Sequence, residues 1–244
     1  MRINVAIIGL GVVGKKRRLF IEKNKKYNLV AASDIRFRKD FKRKGILYFK
    51  NYDEVFKLDI KLDAIFITLP NYLSADVTIK AIKKNINVFC EKPPAKNYSE
   101  LLRVKKALKS NLKLKYGFNH RYHGSIKLAK KYIESKKLGK ILNIRGLYGK
   151  SKILTYTKSD WRSKKFYAGG GILTDQGIHM LDIIKFFCGE FKEFKSFLSN
   201  KFWNYDVEDD VFAIMRNKNN VLASIHSTAL QWEHKFRLEI SLEK

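Results

Sequence analysis

Cysteine is scarce in this chain: Cys90 and Cys188 are the only two, and they lie far apart. Two such residues build neither a disulfide framework nor a zinc site, so a reducing, cytoplasmic setting is the expectation. No metal is expected either. His120 and His123 have helix-face spacing but no further ligand set, and His226 and His234 fall in strand-like segments without a clear partner. No apolar run approaches bilayer thickness, which argues against a membrane span. The N-terminus passes directly into a strand-like run, so no signal peptide is expected. Acidic residues are few, 23 against 51 Lys and Arg, which gives a net charge of +28 and a pI near 10.0. Such an excess often marks a nucleic-acid binder. Here the basic residues are spread along the chain, with local clusters at 15–18, 36–44 and 103–115 that read as solvent faces of helices and loops. With only three prolines and an abundance of Asn and Ile, the excess reads as compositional bias. Nucleic acid is therefore not an expected partner, while an anionic sugar or nucleotide-sugar would be attracted.

Two short motifs carry the chemistry. The first, Gly9-Leu10-Gly11-Val12-Val13-Gly14, follows the apolar run 3–8 and precedes a helical stretch over 15–26. A second apolar run, 29–33, ends in Asp34, twenty residues beyond Gly14. Strand, glycine turn, helix, strand and acid in this order are the signature of a dinucleotide site. Gly9 permits the tight turn, Gly11 lets the backbone approach a pyrophosphate, and Gly14 lets the helix pack against the strand. The helix N-terminus then offers amides and partial positive charge to the phosphates, which engages Val12 and Val13 through their backbone. Asp34 can accept hydrogen bonds from a ribose diol and would repel a 2′-phosphate, which favours NAD. Arg36 and Arg38 can pair with that phosphate, which keeps NADP open. The second motif, Cys90-Glu91-Lys92-Pro93-Pro94, places a lysine directly after the strand-like run 87–90.

Strands and helices alternate through the first half: a strand at 64–69 ending at Pro70-Asn71, a helix over 71–84, the strand at 87–90, a helix over 99–109 with Ser99 as its N-cap and Leu101, Leu102, Val104 and Leu108 inward, and a strand at 113–118. This alternation predicts a doubly wound parallel sheet. The pattern changes near residue 120. A helix over 121–135, a long strand at 141–149, a loop containing Asp160-Trp161-Arg162, and a helix from about 174 to 188 precede four strand-like runs at 191–198, 207–216, 221–230 and 235–242. Sequential strands with short turns predict a mostly antiparallel sheet with helices on one face. The domains are thus residues 1–119 and 120–244. In the second, Asp175, His179 and Asp182 fall at i, i+4 and i+7 and share a helix face, while Ile178, Leu181, Ile184 and Cys188 form the apolar one. A carboxylate one turn from a histidine can orient the imidazole and raise its basicity. The run Gly169-Gly170-Gly171 before this helix is expected to let a ligand approach the backbone.

Taken together, the motifs resemble those of the glucose-fructose oxidoreductase and inositol dehydrogenase (Gfo/Idh/MocA) family. The matching residues are Gly9, Gly11, Gly14, Thr68-Leu-Pro70-Asn71, Glu91-Lys92-Pro93, Leu138-Gly139-Lys140-Ile141 and the stretch from Gly170 to His179. The resemblance implies an α/β protein with an N-terminal Rossmann domain and a C-terminal α+β domain built on an open sheet that mediates homo-oligomers. It implies a cofactor site drawing on Thr68, Pro70, Asn71, Glu91, Lys92 and Pro93, with the Lys92–Pro93 bond often cis. It also implies that Lys92 and His179 face nicotinamide and substrate with Asp175 beside them. Asn119, Tyr122, Trp161 and Arg162 are further substrate-contact candidates. The implied activity is hydride transfer between NAD(P) and a carbinol or carbonyl of a sugar, cyclitol or nucleotide-sugar. In that chemistry His179 moves the hydroxyl proton, Lys92 stabilises developing alkoxide charge, and Asp175 orients His179 or binds a neighbouring hydroxyl. Family members usually run longer, so a second domain lacking its later strands is expected, and a non-catalytic dinucleotide-binding protein is the alternative.

Overall fold

The computed structural model describes residues 2–151 and 160–244; part of the loop expected after Gly149 lies outside the described residues. The chain forms two compact units, Met1–Gly117 and Phe118–Lys244.

The first unit contains strands β1 (Ile3–Ile8), β2 (Tyr27–Ser33), β3 (Phe41–Arg43), β4 (Ile46–Phe49), β5 (Ala64–Ile67), β6 (Asn87–Cys90) and β7 (Leu114–Tyr116), with helices α1 (Val12–Lys23), α2 (Asn71–Lys83) and α3 (Tyr98–Ala107). The strands form one seven-stranded sheet in the order β3-β4-β2-β1-β5-β6-β7, parallel throughout except for β3 at the edge. Alternation along β1 divides its side chains between two layers. Ala6 and Ile8 join Ile65, Ile67, Val77, Ala81, Ile82 and Val104 on one side, while Val5 and Ile7 join Ile21, Leu29 and Ala32 on the other. Strands buried on both faces read as continuous apolar runs, as these do. The chain leaves β1 toward β2 on one side, while β5 lies on the other. The carboxyl ends of β1 and β5 therefore flank the point where strand order reverses, the usual ligand crevice of such sheets.

Several local expectations shift. Helix α1 begins at Val12 rather than Lys15, with Gly11 as its N-cap. Leu19 and Phe20 are exposed, and Ile21 supplies the buried contact. Helix α3 is capped by Asn97, not Ser99: Glu100 N–H donates to Asn97 Oδ1 at 3.0 Å while Glu100 Oε2 accepts from Lys96 N–H at 3.0 Å. Asn97 has an acid three residues later and Ser99 does not, so the cap forms two residues earlier. Leu102 and Leu108 are exposed, and Val104 is the buried residue of that helix. The basic stretch 36–44 hides the β3–β4 hairpin. Its Lys44-Gly45 turn has φ of 50° and 78°, and Phe41 stacks on Tyr48 at 4.4 Å.

The second unit contains helices α4 (Gly124–Ser135), α5 (Lys165–Ala168) and α6 (Ile178–Cys188) and strands β8 (Ile141–Gly149), β9 (Phe191–Ser199), β10 (Asp210–Asn217), β11 (Leu222–Thr228) and β12 (Lys235–Leu242). The sheet order is β12-β8-β11-β10-β9, antiparallel at every junction except β8–β11. Met180 and Ile184 of α6 pack on Ile144, Tyr148, Met215, Ala223 and Ile225 of the sheet, each such buried side chain contributing about 1.5–3 kcal/mol. Two predicted helices change shape. The segment expected to be helical from Arg121 is first a 3₁₀ turn, Asn119–Tyr122, and His123 breaks it with ψ 142° before α4 begins. The helix expected from Thr174 opens with a π turn, Leu173–Gly177, before α6 proper. Among the described residues no helix is long and apolar enough to cross a membrane.

Candidate active site

The glycine loop after β1 is held by β5. Gly9 has φ 89°, and a Cβ there would stand 2.6 Å from the Thr68 carbonyl oxygen. Thr68 Oγ1 donates to Gly9 O at 2.5 Å, and Thr68 N–H donates to Ile8 O at 2.9 Å. Gly14 is tighter still, since a Cβ would lie 2.1 Å from Gly9 O and 2.7 Å from Thr68 Oγ1. Gly11 differs: nothing lies within 4 Å of the place its Cβ would occupy. The three glycines thus divide as their spacing implies, two closing the loop on the fold and one leaving its surface bare. No side chain caps α1, and Val12 and Val13 are exposed at its first turn. Open backbone beside uncapped helix amides is a cradle that a pyrophosphate fits.

Asp34 is buried at the end of β2 and tied to this loop. Leu10 N–H donates to its Oδ2 at 2.6 Å, and the Arg36 guanidinium donates to both carboxylate oxygens at 2.7 and 2.9 Å. Arg36 also reaches Leu10 O at 2.6 Å. Burial pushes the Asp34 carboxyl up, but the hydrogen bonds from Arg36 and Leu10 and the Arg36 charge outweigh it and bring it down to about 2. The acid is therefore ionised, and it organises the loop. Asn71 opens α2 and is buried, and Pro70 precedes it as the cap.

Lys92 follows β6, and its bond to Pro93 is cis. Glu91 is committed to α1, its carboxylate accepting from Arg17 Nε at 2.6 Å. Arg17 also lies over the Phe89 ring at 5.1 Å. Arg17 had read as one of several solvent-facing basic residues. The structure makes it the clamp between the lysine-bearing loop and the glycine-loop helix. A 74-residue separation left no local signal for it. Gly117 completes the clamp, since a Cβ there would meet Glu91 Oε2 at 2.6 Å.

In the second unit the 3₁₀ turn brings His120 onto His179, with ring centroids 3.9 Å apart and planes inclined by 26°. His179 is buried near the start of α6, and Phe118 meets its ring edge-on at 6.1 Å. Asn119 and Tyr122 of the same turn are exposed. Asp182 does not serve His179: its two oxygens accept from Nε and Nη2 of Arg121. Asp175 lies in the π turn, where its Oδ2 accepts from Gln176 Nε2 at 2.7 Å. Burial, followed by the Asp175 charge, pushes the nearby Tyr148 hydroxyl up to about 12. The polar stripe read from spacing is therefore divided, with Asp182 structural and His179 stacked on a histidine from another element. Gly171 of the glycine run makes room for the protein's own backbone. A Cβ on Gly171 would stand 2.0 Å from Glu208 O, and Glu208 accepts from Gly171 N–H at 2.7 Å and Leu173 N–H at 3.2 Å. The close approach is made by the protein's own backbone, and Glu208 caps the π turn. Trp161 and Arg162 serve one another, the guanidinium lying 4.3 Å from the ring centroid.

Residues 3–120 match the family model described as "Oxidoreductase family, NAD-binding Rossmann fold", and residues 126–244 match that of the GFO/IDH/MocA C-terminal domain. The chain is 29% identical to levoglucosan dehydrogenase of Pseudarthrobacter phenanthrenivorans, over 70% of this chain and 50% of that protein. It is 30% identical to glucose-6-phosphate 3-dehydrogenase of Bacillus subtilis, over 74% of this chain and 52% of that one. The chain thus spans about half the length of these relatives. A solved structure of levoglucosan dehydrogenase in complex with NADH superposes with a TM-score of 0.86 at 25% identity, over 100% of this chain and 71% of that one.

Proposed function

Because this chain belongs to the Gfo/Idh/MocA oxidoreductase family, we propose that it transfers a hydride between NAD and a carbinol or carbonyl of a sugar, cyclitol or nucleotide-sugar. The observation that carries this reading is the glycine loop, closed at Gly9 and Gly14 and bare at Gly11, in one chain with a buried His179. Gly11, the first amides of α1 and Asp34 hold the dinucleotide, and the nicotinamide supplies or accepts the hydride when bound. His179 takes or returns the hydroxyl proton, since an imidazole titrates near neutrality. Lys92 stabilises the charge that develops on the same oxygen, and Asp175 holds a neighbouring hydroxyl. Asn119, Tyr122, Trp161 and Arg162 are the proposed outer contacts to the substrate. NAD is favoured because Asp34 stays ionised; its salt bridge to Arg36 leaves that arginine with less to offer a 2′-phosphate. Two relatives act, by name, on a sugar anhydride and a sugar phosphate, and the +28 charge of this chain suits an anionic polyol. The test is turnover with NAD across a panel of sugars, cyclitols and nucleotide-sugars. Lys92→Ala or His179→Ala should lower turnover by about 10²–10⁴-fold with the fold intact, and unchanged rates in both would sink these roles.

The outer face of the second sheet supports a homo-oligomer. Phe197, Phe212, His226 and Leu147 stand opposite one another across β9, β10, β11 and β8, and Phe197 and Phe212 are 83% and 53% exposed. On the same face His226 pairs with Asp210 and Arg216 with Glu193, while Lys195 and Arg145 stand one row further along. Sedimentation should show a dimer or larger, and Phe197→Glu with Phe212→Glu should shift it to monomer. A monomeric parent protein excludes this assembly. The competing reading is a dinucleotide-binding protein without turnover, which predicts NADH binding and silence across the whole panel.

A further inference from the structure

We propose that His120 is a positioning residue for His179, fixing its ring plane and holding it neutral as pH falls. This rests on the role given to His179 above. His120 comes from the 3₁₀ turn Asn119–Tyr122, far from α6 in sequence, and lies nearly face to face with His179 at 3.9 Å. The stack is built from other elements too. Phe236 of β12 meets His120 edge-on at 5.2 Å, Tyr148 of β8 lies 5.7 Å from it, and His123 stands 4.6 Å away at the start of α4. His120 is thereby held on several sides, and it holds His179 in turn.

The electrostatic consequence follows from like charge at short range. Two imidazoles this close do not both take a proton near neutrality; the first proton raises the difficulty of the second, and the pair titrates in two steps. Other groups face the stack. Tyr148, beside His120, stays protonated, its hydroxyl pushed up to about 12 by burial and then by the Asp175 charge. His234 lies against the far side of Tyr148 at 5.4 Å. Asp182 and Arg121 neutralise one another, and His123 stands beside His120 at 4.6 Å. All of these remain when only His120 is changed, so one substitution isolates its contribution.

The test is histidine-selective NMR titration of the full chain, whose five histidines are assigned by single replacements. In the parent protein the His120 and His179 signals should each show the two-step profile of a coupled pair. In His120→Phe, which keeps an aromatic ring on His179 without a titrating group, His179 should titrate in one step. Its apparent pKa should rise by about one unit, a tenfold change in proton affinity. A single step in the parent, or a His179 titration that His120→Phe leaves in place, overturns the proposal; the parent measurement stands even if the variant does not fold. With any accepted substrate, the acid limb of kcat/KM should move up in the variant by the same unit. Absence of turnover with the NMR coupling intact would remove the oxidoreductase reading and leave the histidine pair standing.

Discussion

Replacing Gly11 and Gly14 separately by alanine distinguishes a dinucleotide cradle from a glycine turn that merely packs. At Gly14 the new methyl carbon would lie 2.1 Å from a backbone oxygen and 2.7 Å from Thr68 Oγ1, well inside contact distance. Overpacking costs about 1–3 kcal/mol, and loss of the hydrogen bond from Thr68 to Gly9 adds about 1 kcal/mol. Gly14→Ala should therefore lose about 2–4 kcal/mol of stability. Gly11 has φ −61° and ψ −166°, values open to alanine, and empty space around its Cβ position. Alanine is a poorer N-cap than glycine by roughly 0.5 kcal/mol, while reduced freedom of the unfolded chain returns about 0.4–1 kcal/mol. The net should be within about 0.5 kcal/mol of zero. Its methyl group would nevertheless stand where the pyrophosphate must approach, so NADH affinity should fall at least about tenfold, or ~1.4 kcal/mol. Urea unfolding followed by far-UV circular dichroism measures the first quantity, since Trp161, Trp203 and Trp232 all lie in the second unit. Calorimetric titration with NADH measures the second. If Gly11→Ala binds NADH like the parent, or Gly14→Ala unfolds at the parent midpoint, the assignment of the two glycines is wrong.

Asp34 links stability to acid. Its folded carboxyl lies at about 2 against 3.8 ordinarily, so its stabilisation is complete above about pH 4 and is lost as pH falls toward 2, by no more than about 2 kcal/mol. Asp34→Asn should flatten that part of the pH–stability curve, and an unchanged slope would show the acid to be idle. Glu208→Ala removes the acceptor of two amides at the π turn and should cost about 2 kcal/mol; tryptophan fluorescence in urea reports it, and a loss below about 0.5 kcal/mol would reassign the cap. Burial pushes the Cys90 and Cys188 thiols up to about 12 and about 11, so the fully buried Cys90 should react with a disulfide reagent only on unfolding. Rapid native labelling of Cys90 would contradict its position in β6. Arg17→Met should leave β1 and β2 intact but loosen the loop carrying Lys92, seen as faster amide exchange at Glu91, Lys92 and Ala95; unchanged protection would show the Arg17–Glu91 clamp to be dispensable.

Short-range patterns are legible in the sequence. The runs 3–8, 29–33 and 64–69 became β1, β2 and β5, because strands buried on both faces demand unbroken apolar sequence. The glycine spacing announced the loop, because the steric demand falls on the glycines themselves. The strand over 141–149 and that over 235–242 were legible to the residue. Errors came where two local signals competed. Asn97 displaced Ser99 as a cap through an acid three residues on, and the lysines of 36–44 obscured a three-residue strand.

The βα order, the glycine loop and the residue types available for proton transfer all depend on neighbours within a few turns, so local spacing carries them. Only tertiary structure decided how those residues are employed. Arg17 clamps Glu91, Arg121 occupies Asp182, Glu208 fills the space beside Gly171, and His120 lies on His179. Each of these joins groups dozens of residues apart, where a charge, a small residue or a ring can find many partners. The choice among them is made by packing of whole elements, which no local spacing encodes.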